Sequence, residues 1–341
     1  MPFQPPFCPS FACPSRTAHQ VFTWRRDGKY RRACDARRVQ RFRCLACRRR
    51  FSAQSFRLDY RQRKPRINAA VLGCFVSKVN HRQAARILHV DRKTIERRLH
   101  LWGPTLQHYH QGWLTRARLQ GGLSGTWTLD EQESFEQDRR LQPLTLPILV
   151  HWKTFFVLHA ATAPLPARGG LSPLDEARKR ERELRLGRRQ SGSTAAVEEC
   201  LKVWRGVHAP RASANWITDR KTSYPALFKR YFGEVFGSHV RIASSDTRNR
   251  KNPMFPINHT LAMLREHVSR LARRTWAVSK RRTRLENHLW IWIVWRNYVR
   301  GITNQAKRTT PAMALGITTR AFPVRRILRW RWPLLMPLNT I

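Results

Sequence analysis

Residues 126–138, TWTLDEQESFEQD, carry five of the chain's 21 acidic residues, in a sequence of 341 residues that also holds 66 lysines and arginines. Read as an extended strand, the stretch sends alternate side chains to opposite faces. Trp127, Leu129 and Phe135 then share one face, and Thr126, Thr128, Asp130 and Gln132 share the other. Asp130 ends the regular apolar run and is the candidate metal ligand. Glu131 supports that site or faces away, and Glu133, Glu136 and Asp138 read as a solvated turn.

A second short apolar run ends the same way: SANWITD closes on Asp219 and is followed by a Tyr-Pro helix start. Hard divalent cations need carboxylate oxygens, and phosphoryl transfer on a nucleic acid needs such cations at the scissile phosphate. Two aspartates at strand ends, with strands and a helical segment between them, fit an α/β core of the ribonuclease-H-like kind, in which neighbouring strands bring the pair together. Further short apolar runs, LTLPILVHW, FFVLHAA and HVRIA, supply the other strands, and a charged insertion at about 172–192 interrupts them. The core is expected over 122–302, with a C-terminal tail at 303–341. Helical spacing returns near the end of the core, where HLWIWIVWRNY reads as a buried helix.

A formal charge of +45 implies a polyanionic partner, and nucleic acid is the default. A merely solubilising surface would mix the two signs. The opening MPFQPPFCPSFACPS has neither a basic leader nor a continuous apolar run, and the apolar stretch near Trp290 is too short to span a bilayer. A soluble intracellular protein with no membrane partner is expected.

Two modules precede the core. Residues 1–56 hold Cys8 and Cys13 in a C-x4-C knuckle and Cys44 and Cys47 in C-x2-C. Four thiolates of this kind complete the tetrahedral shell of a structural zinc, which makes this a zinc-ribbon module. Cys34 is a weaker competing ligand, and Cys74 and Cys200 read as core residues. Residues 62–104 read as a helix-turn-helix, with helices from about His81 to Leu88 and from about Arg92 to Leu101. Ala84, Ala85, Ile87, Leu88, Val90, Ile95 and Leu99 pack between them, and Asp91 caps the second helix. Arg92, Lys93, Thr94, Arg97 and Arg98 would project outward to phosphates and guanine edges of duplex DNA.

The order of these parts resembles bacterial insertion-sequence transposases of the DDE type, closest to the group founded on insertion element one. The pieces that carry the resemblance are QRFRCLACRRRFS, the helix-turn-helix, TLDEQESF, ITDRKTSYP, LREHVSRLARRTWAVSK and TPAMALGI, over roughly residues 8 to 318. It implies a ribonuclease-H-like catalytic core that uses Mg2+ or Mn2+ to cleave DNA at element ends and join it to a target. The implied partners are terminal inverted repeats, target DNA and a second copy of the chain on DNA, in the bacterial cytoplasm near the nucleoid. The family's first two aspartates carry over to Asp130 and Asp219. Its third acid does not, because the usual Ile-Glu-Arg aligns with Ile257-Asn258-His259. Asn258 can offer a carbonyl oxygen, Asp246 also follows a strand, and Glu266 lies about 12 Å further along the helix. The alternative to an active enzyme is a transposase-derived DNA-binding protein without catalysis.

Overall fold

A computed structural model describes residues 3–17, 21–247, 249–272, 276–305 and 308–328. The chain divides into two units, Met1–Ala70 with Pro323–Ile341, and Val71–Phe322. In the first, a short helix α1 (Pro14–Thr17) precedes an antiparallel meander of β1 (Trp24–Arg31), β2 (Arg38–Cys44) and β3 (Arg50–Ser52). Phe42, Phe51 and Phe56 are buried between these strands and the turn after β3, with Phe42 stacked on Phe51 at 5.7 Å and Trp24 edge-on to Phe42 at 5.1 Å. So few apolar side chains make a small core, of the size that metal or disulfide cross-links ordinarily supplement. Buried Arg32 reaches Asp35 at 2.6 Å and Asp59 at 3.1 Å, and Arg57 meets Asp59 at 2.8 Å, so each buried charge has a partner. Arg25, Arg26, Arg38 and Arg41 leave the outer edge of the hairpin exposed and basic.

The division between units falls inside α2 (Asn68–Phe75). The second unit then begins with α3 (His81–Ile87) and α4 (Arg92–Leu119). Asn80 starts α3 with a capping box, accepting from Arg82 and Gln83 while the Gln83 side chain accepts from its own N–H. The turn places His89 at φ +48°, and Asp91 caps α4 through the Lys93 N–H at 2.7 Å. The helix expected to end near Leu101 instead continues to Leu119, through Gly103 and Pro104. Those two residues are local stop signals. Tertiary packing outweighs them, because Trp102, Leu106, Tyr109, His110 and Leu114 are all buried.

Four strands follow, β4 (Thr126–Phe135), β5 (Pro143–His151), β6 (Val157–Ala160) and β7 (Ala163–Pro164). The chain continues through α5 (Pro173–Leu186), α6 (Ser193–Val207), β8 (Ala214–Asp219), α7 (Tyr224–Phe232), β9 (Phe236–Ile242), α8 (Phe255–His267), α9 (Arg282–Tyr298) and α10 (Pro311–Ala314). The sheet runs β6-β5-β4-β8-β9, with β7 on β5. The strands β4, β5 and β6 are antiparallel neighbours, whereas β8 runs parallel to β4 and β9 parallel to β8. The fold is therefore mixed α/β around a mixed sheet. Every residue of β5 is buried, as a strand covered on both faces requires.

The helix α5 is the charged insertion, capped by Ser172 and with no buried residue. The Trp-rich run forms α9 as expected, with Trp290, Ile291, Trp292, Ile293 and Val294 all buried. Part of the segment expected as a tail is packed: Thr310, Ala312 and Phe322 are buried, and the Phe322 N–H donates to the Tyr298 carbonyl at 2.8 Å. The last helix, α11 (Val324–Ile327), belongs to the first unit, and the tail beyond residue 328 lies outside the described residues. No helix among the described residues is long and apolar enough to cross a membrane.

The packing of α4 on α9 depends on Gly103. A Cβ there would lie 2.4 Å from the Cβ of Asn287 and 2.5 Å from its Cα. Alanine would gain about 1 kcal/mol of helix propensity over glycine. It would also force the two backbones apart. Gly103→Ala is therefore expected to lower stability by about 1–3 kcal/mol net, read from urea unfolding.

Candidate functional site

The parallel pairing of β4 with β8 runs from Thr126↔Asn215 to Leu129↔Thr218. Asp130 and Asp219 are the next residue on each strand. Neighbouring strands lie about 4.8 Å apart, and residues in register on parallel strands share a face. The two carboxylates therefore leave the sheet side by side, where β8 stops accompanying β4. Both residues are half-buried. Asp130 Oδ1 accepts the Glu131 N–H at 2.7 Å, and Asp219 Oδ1 accepts the Lys221 N–H at 3.1 Å. Each carboxylate is thus oriented by the adjoining backbone, Asp219 at the carboxyl end of β8 and Asp130 within β4 where its parallel pairing with β8 stops.

The strand does not end at Asp130, as its apolar pattern suggests; β4 continues to Phe135 in regular pairing with β5. Glu133 is accordingly in the strand, paired with Arg168, and Glu136 is held by Arg189 at 3.1 Å. Only Asp138 acts as a turn residue, accepting from the Arg140 and Leu141 N–H groups.

Glu131 is the largest addition to the sequence reading. Its carboxylate accepts from Thr145 Oγ1 at 2.7 Å, Ser193 Oγ at 2.7 Å, Tyr224 OH at 3.1 Å and the Lys221 ammonium. These partners come from β5, α6, α7 and the loop after β8. Burial alone would raise the Glu131 carboxyl, but the Lys221 ammonium and the two hydroxyls hold it below the usual carboxylate range. Tyr224 is buried and donates to Glu131, and burial together with the negative charges of Glu131, Asp219 and Asp130 drives its hydroxyl far above the usual tyrosine range. The missed signal was alternation itself: Glu131 shares the face of Trp127 and Leu129, and an acid on a core face demands a cation.

The third-ligand candidates separate. Asn258 lies half-buried in the first half of α8, a helix packed against β4 and β5, and its N–H donates to the Met254 carbonyl at 3.0 Å. Asp246 is exposed in a turn after β9. Glu266 is exposed near the far end of α8 and pairs with Lys78 at 3.3 Å. Asn258 is the one of the three on a helix turn that begins against the sheet, since Trp152, directly after β5, donates to the Pro253 carbonyl at 3.0 Å. His259 packs in a T-shaped contact with Phe155 at 5.4 Å.

The expected DNA-contact residues also divide. Arg92, Lys93 and Arg97 are exposed and Thr94 half-buried, whereas Arg98 is buried. Positions 95, 98, 99 and 102 form one stripe at three- and four-residue spacing, so Arg98 turns inward with Ile95, Leu99 and Trp102. Ile87, expected between the helices, is exposed.

In the first unit, Cys8, Cys13, Cys44 and Cys47 bring their Sγ atoms within 4.8 Å of one another, with Cys8 to Cys47 and Cys13 to Cys44 each at 3.6 Å. A tetrahedral zinc with bonds of about 2.3 Å requires sulfur separations of about 3.8 Å, so the four cysteines can hold a structural zinc. Burial drives the Cys8 and Cys44 thiols up, while hydrogen bonds from Ser15 outweigh burial at Cys13 and bring it down to about 7. A dication at their centre supplies the counter-charge that buried thiolates lack. Cys34 is exposed and outside the cluster, Cys74 is half-buried, and Cys200 is buried.

Two outcomes are expected. The purified chain carries one zinc equivalent, and Cys44→Ser loses it together with protease resistance within residues 1–70, read by elemental analysis and limited digestion. Glu131→Gln removes the ion pair to Lys221, which is partly solvated and keeps its hydrogen bond to Ser193, and costs about 1–2 kcal/mol at neutral pH. Because the folded carboxyl is depressed, its contribution is full above the unfolded value of about 4.3 and is lost as pH falls through the lower folded value. Urea unfolding across pH 3 to 7, as a rough range, should therefore fall less steeply toward acid in Glu131→Gln than in the parent. Compared with protein-family models and with curated proteins, the chain has no match.

Proposed function

We propose that the chain is a DDE-type transposase with a ribonuclease-H-like core, acting on duplex DNA with divalent metal. The observation that carries this reading is the register of β4 and β8, which leaves Asp130 and Asp219 adjacent on one face at the end of their parallel pairing. Three antiparallel strands followed by two parallel ones agree with the expected core. The charge of +45, the exposed arginines of the hairpin and the exposed start of α4 fit a polyanionic partner.

In this mechanism the chain's own groups divide the work. Asp130 and Asp219 would hold Mg2+ or Mn2+ through their carboxylate oxygens, and the bound ions would supply Lewis-acid activation of the attacking and leaving oxygens. The Glu131 network ties β4 to β5, α6 and the loop after β8, and so fixes the spacing of the two aspartates. Asn258 supplies a neutral oxygen from α8 where the transposases that the sequence resembles have a carboxylate. The helix-turn-helix and the cysteine module select the element ends, and two copies of the chain serve the two ends.

A strand-transfer assay tests this, with donor ends taken from DNA flanking the gene and Mg2+ or Mn2+ supplied. The parent chain should join donor to target, and Asp130→Asn or Asp219→Asn should fall to the background obtained with a chelator. Asn258→Glu should raise activity. Equal activity in the parent and in Asp130→Asn, including equal absence of activity, would contradict catalysis and favour a DNA-binding protein derived from a transposase.

A further inference from the structure

Outside the aspartate pair, the second unit holds an open cleft of about 580 Å3 between the starts of α3 and α4 and the segment leading from α8 into α9. Six cations line it: Arg82, Arg92, Arg270, Lys280, Arg281 and Arg284. Glu96 is the one acid on its walls among the described residues, and Arg284 already holds it at 2.6 Å. Arg270 is deep in the wall, donating to Ser279 Oγ at 3.1 Å and to His81 Nε2 at 3.2 Å. Burial and neighbouring arginines push His81 down to about 3, so it stays neutral and accepts that bond. Burial, then Arg284, lowers Arg270 to about 10, still charged at neutral pH.

Trp276 stands at the same cleft and is fully exposed, alone in this among the described tryptophans. Keeping an indole in water costs burial energy that Trp102, Trp127, Trp204, Trp216 and Trp292 recover. A cationic cleft with an uncovered aromatic ring matches the two halves of a nucleotide, phosphate and base. The size matches one nucleotide rather than a duplex, since small-ligand sites span about 300–1,000 Å3. Stacking on Trp276 also needs an open base face, which paired bases inside a duplex do not offer.

We propose that this cleft is a second nucleic-acid site that takes one unpaired nucleotide of a DNA strand, with the guanidinium groups on its phosphates and Trp276 stacked on its base. The proposal rests on the reading of the chain as a DNA-binding protein. Arg92 belongs both to the start of α4 and to the cleft wall, so the cleft adjoins the exposed start of that helix. An unpaired nucleotide arises where strands part at a cut end.

The test is fluorescence anisotropy with the full chain, using a short blunt DNA duplex and the same duplex carrying a short unpaired 3′ extension. The parent should bind the extended duplex about tenfold tighter than the blunt one, the size of one base–aromatic stack. Trp276→Ala should abolish that preference, and Trp276→Phe should keep most of it. Because Trp276 is exposed, neither substitution removes a core contact. Arg281→Ala should lower the salt dependence for the extended duplex by about one counterion. Equal affinity of the parent for both duplexes, or an unchanged preference in Trp276→Ala, would overturn the cleft while leaving duplex binding intact. Binding to neither duplex would overturn the cleft and the DNA reading together. A stronger preference for an RNA extension of the same sequence would overturn its assignment to DNA.

Discussion

The register pairs from Thr126↔Asn215 to Leu129↔Thr218 constrain everything else in the second unit. Shifting either strand by one residue would send its aspartate to the opposite face, because side chains alternate with a period of two. Several interactions resist that slip. Trp216, on the same face as Trp127, stacks on Phe232 of α7 at 4.9 Å and lies 5.2 Å from Trp204 of α6. On β4, Trp127 meets His151 of β5 at 5.0 Å. Glu131 then ties the strand to α6, α7 and the loop after β8 through charge-assisted hydrogen bonds. Core packing and a partly buried ion pair on the Trp127 and Glu131 face thus hold the two strands in the register that sets Asp130 beside Asp219.

How much of this could be read in the sequence varied with how local the determining interaction is. The strands of the sheet were legible because their apolar runs are short and bounded, and ANWITD and TWTLD both announce an acid after an apolar stretch. The turn between α3 and α4 was legible because Asp91 is a strong local cap. The cysteine cluster was legible from spacing alone. The length of α4 was not, since Gly103 and Pro104 signal an end that only contact with α9 overrides. Arg98 was misjudged for a related reason: composition suggested a DNA contact, but its place beside Leu99 and Trp102 on the helix stripe decides its burial. Glu131 draws partners from four elements far apart in the chain, and no local pattern names them.

The charge distribution connects the two candidate sites. A chain at +45 concentrates carboxylates on and around β4, and each of the five acids in that stretch has a distinct setting. Glu131, Glu133 and Glu136 neutralise Lys221, Arg168 and Arg189, and Asp138 shapes a turn. Only Asp130 lies next to a second acid in register. The cleft at Trp276 is the opposite case, six cations around one already occupied carboxylate. Under the proposed function the first location would take divalent cations and the second phosphate.

The most direct measurement of the central claim is anomalous scattering from crystals of the chain grown with Mn2+. The account predicts manganese bound by carboxylate oxygens of both Asp130 and Asp219, at about 2.0–2.2 Å as for small hard dications, with any third protein ligand coming from α8. Manganese absent from that pair while the two side chains keep their positions, or held by other acids of the chain, would contradict it.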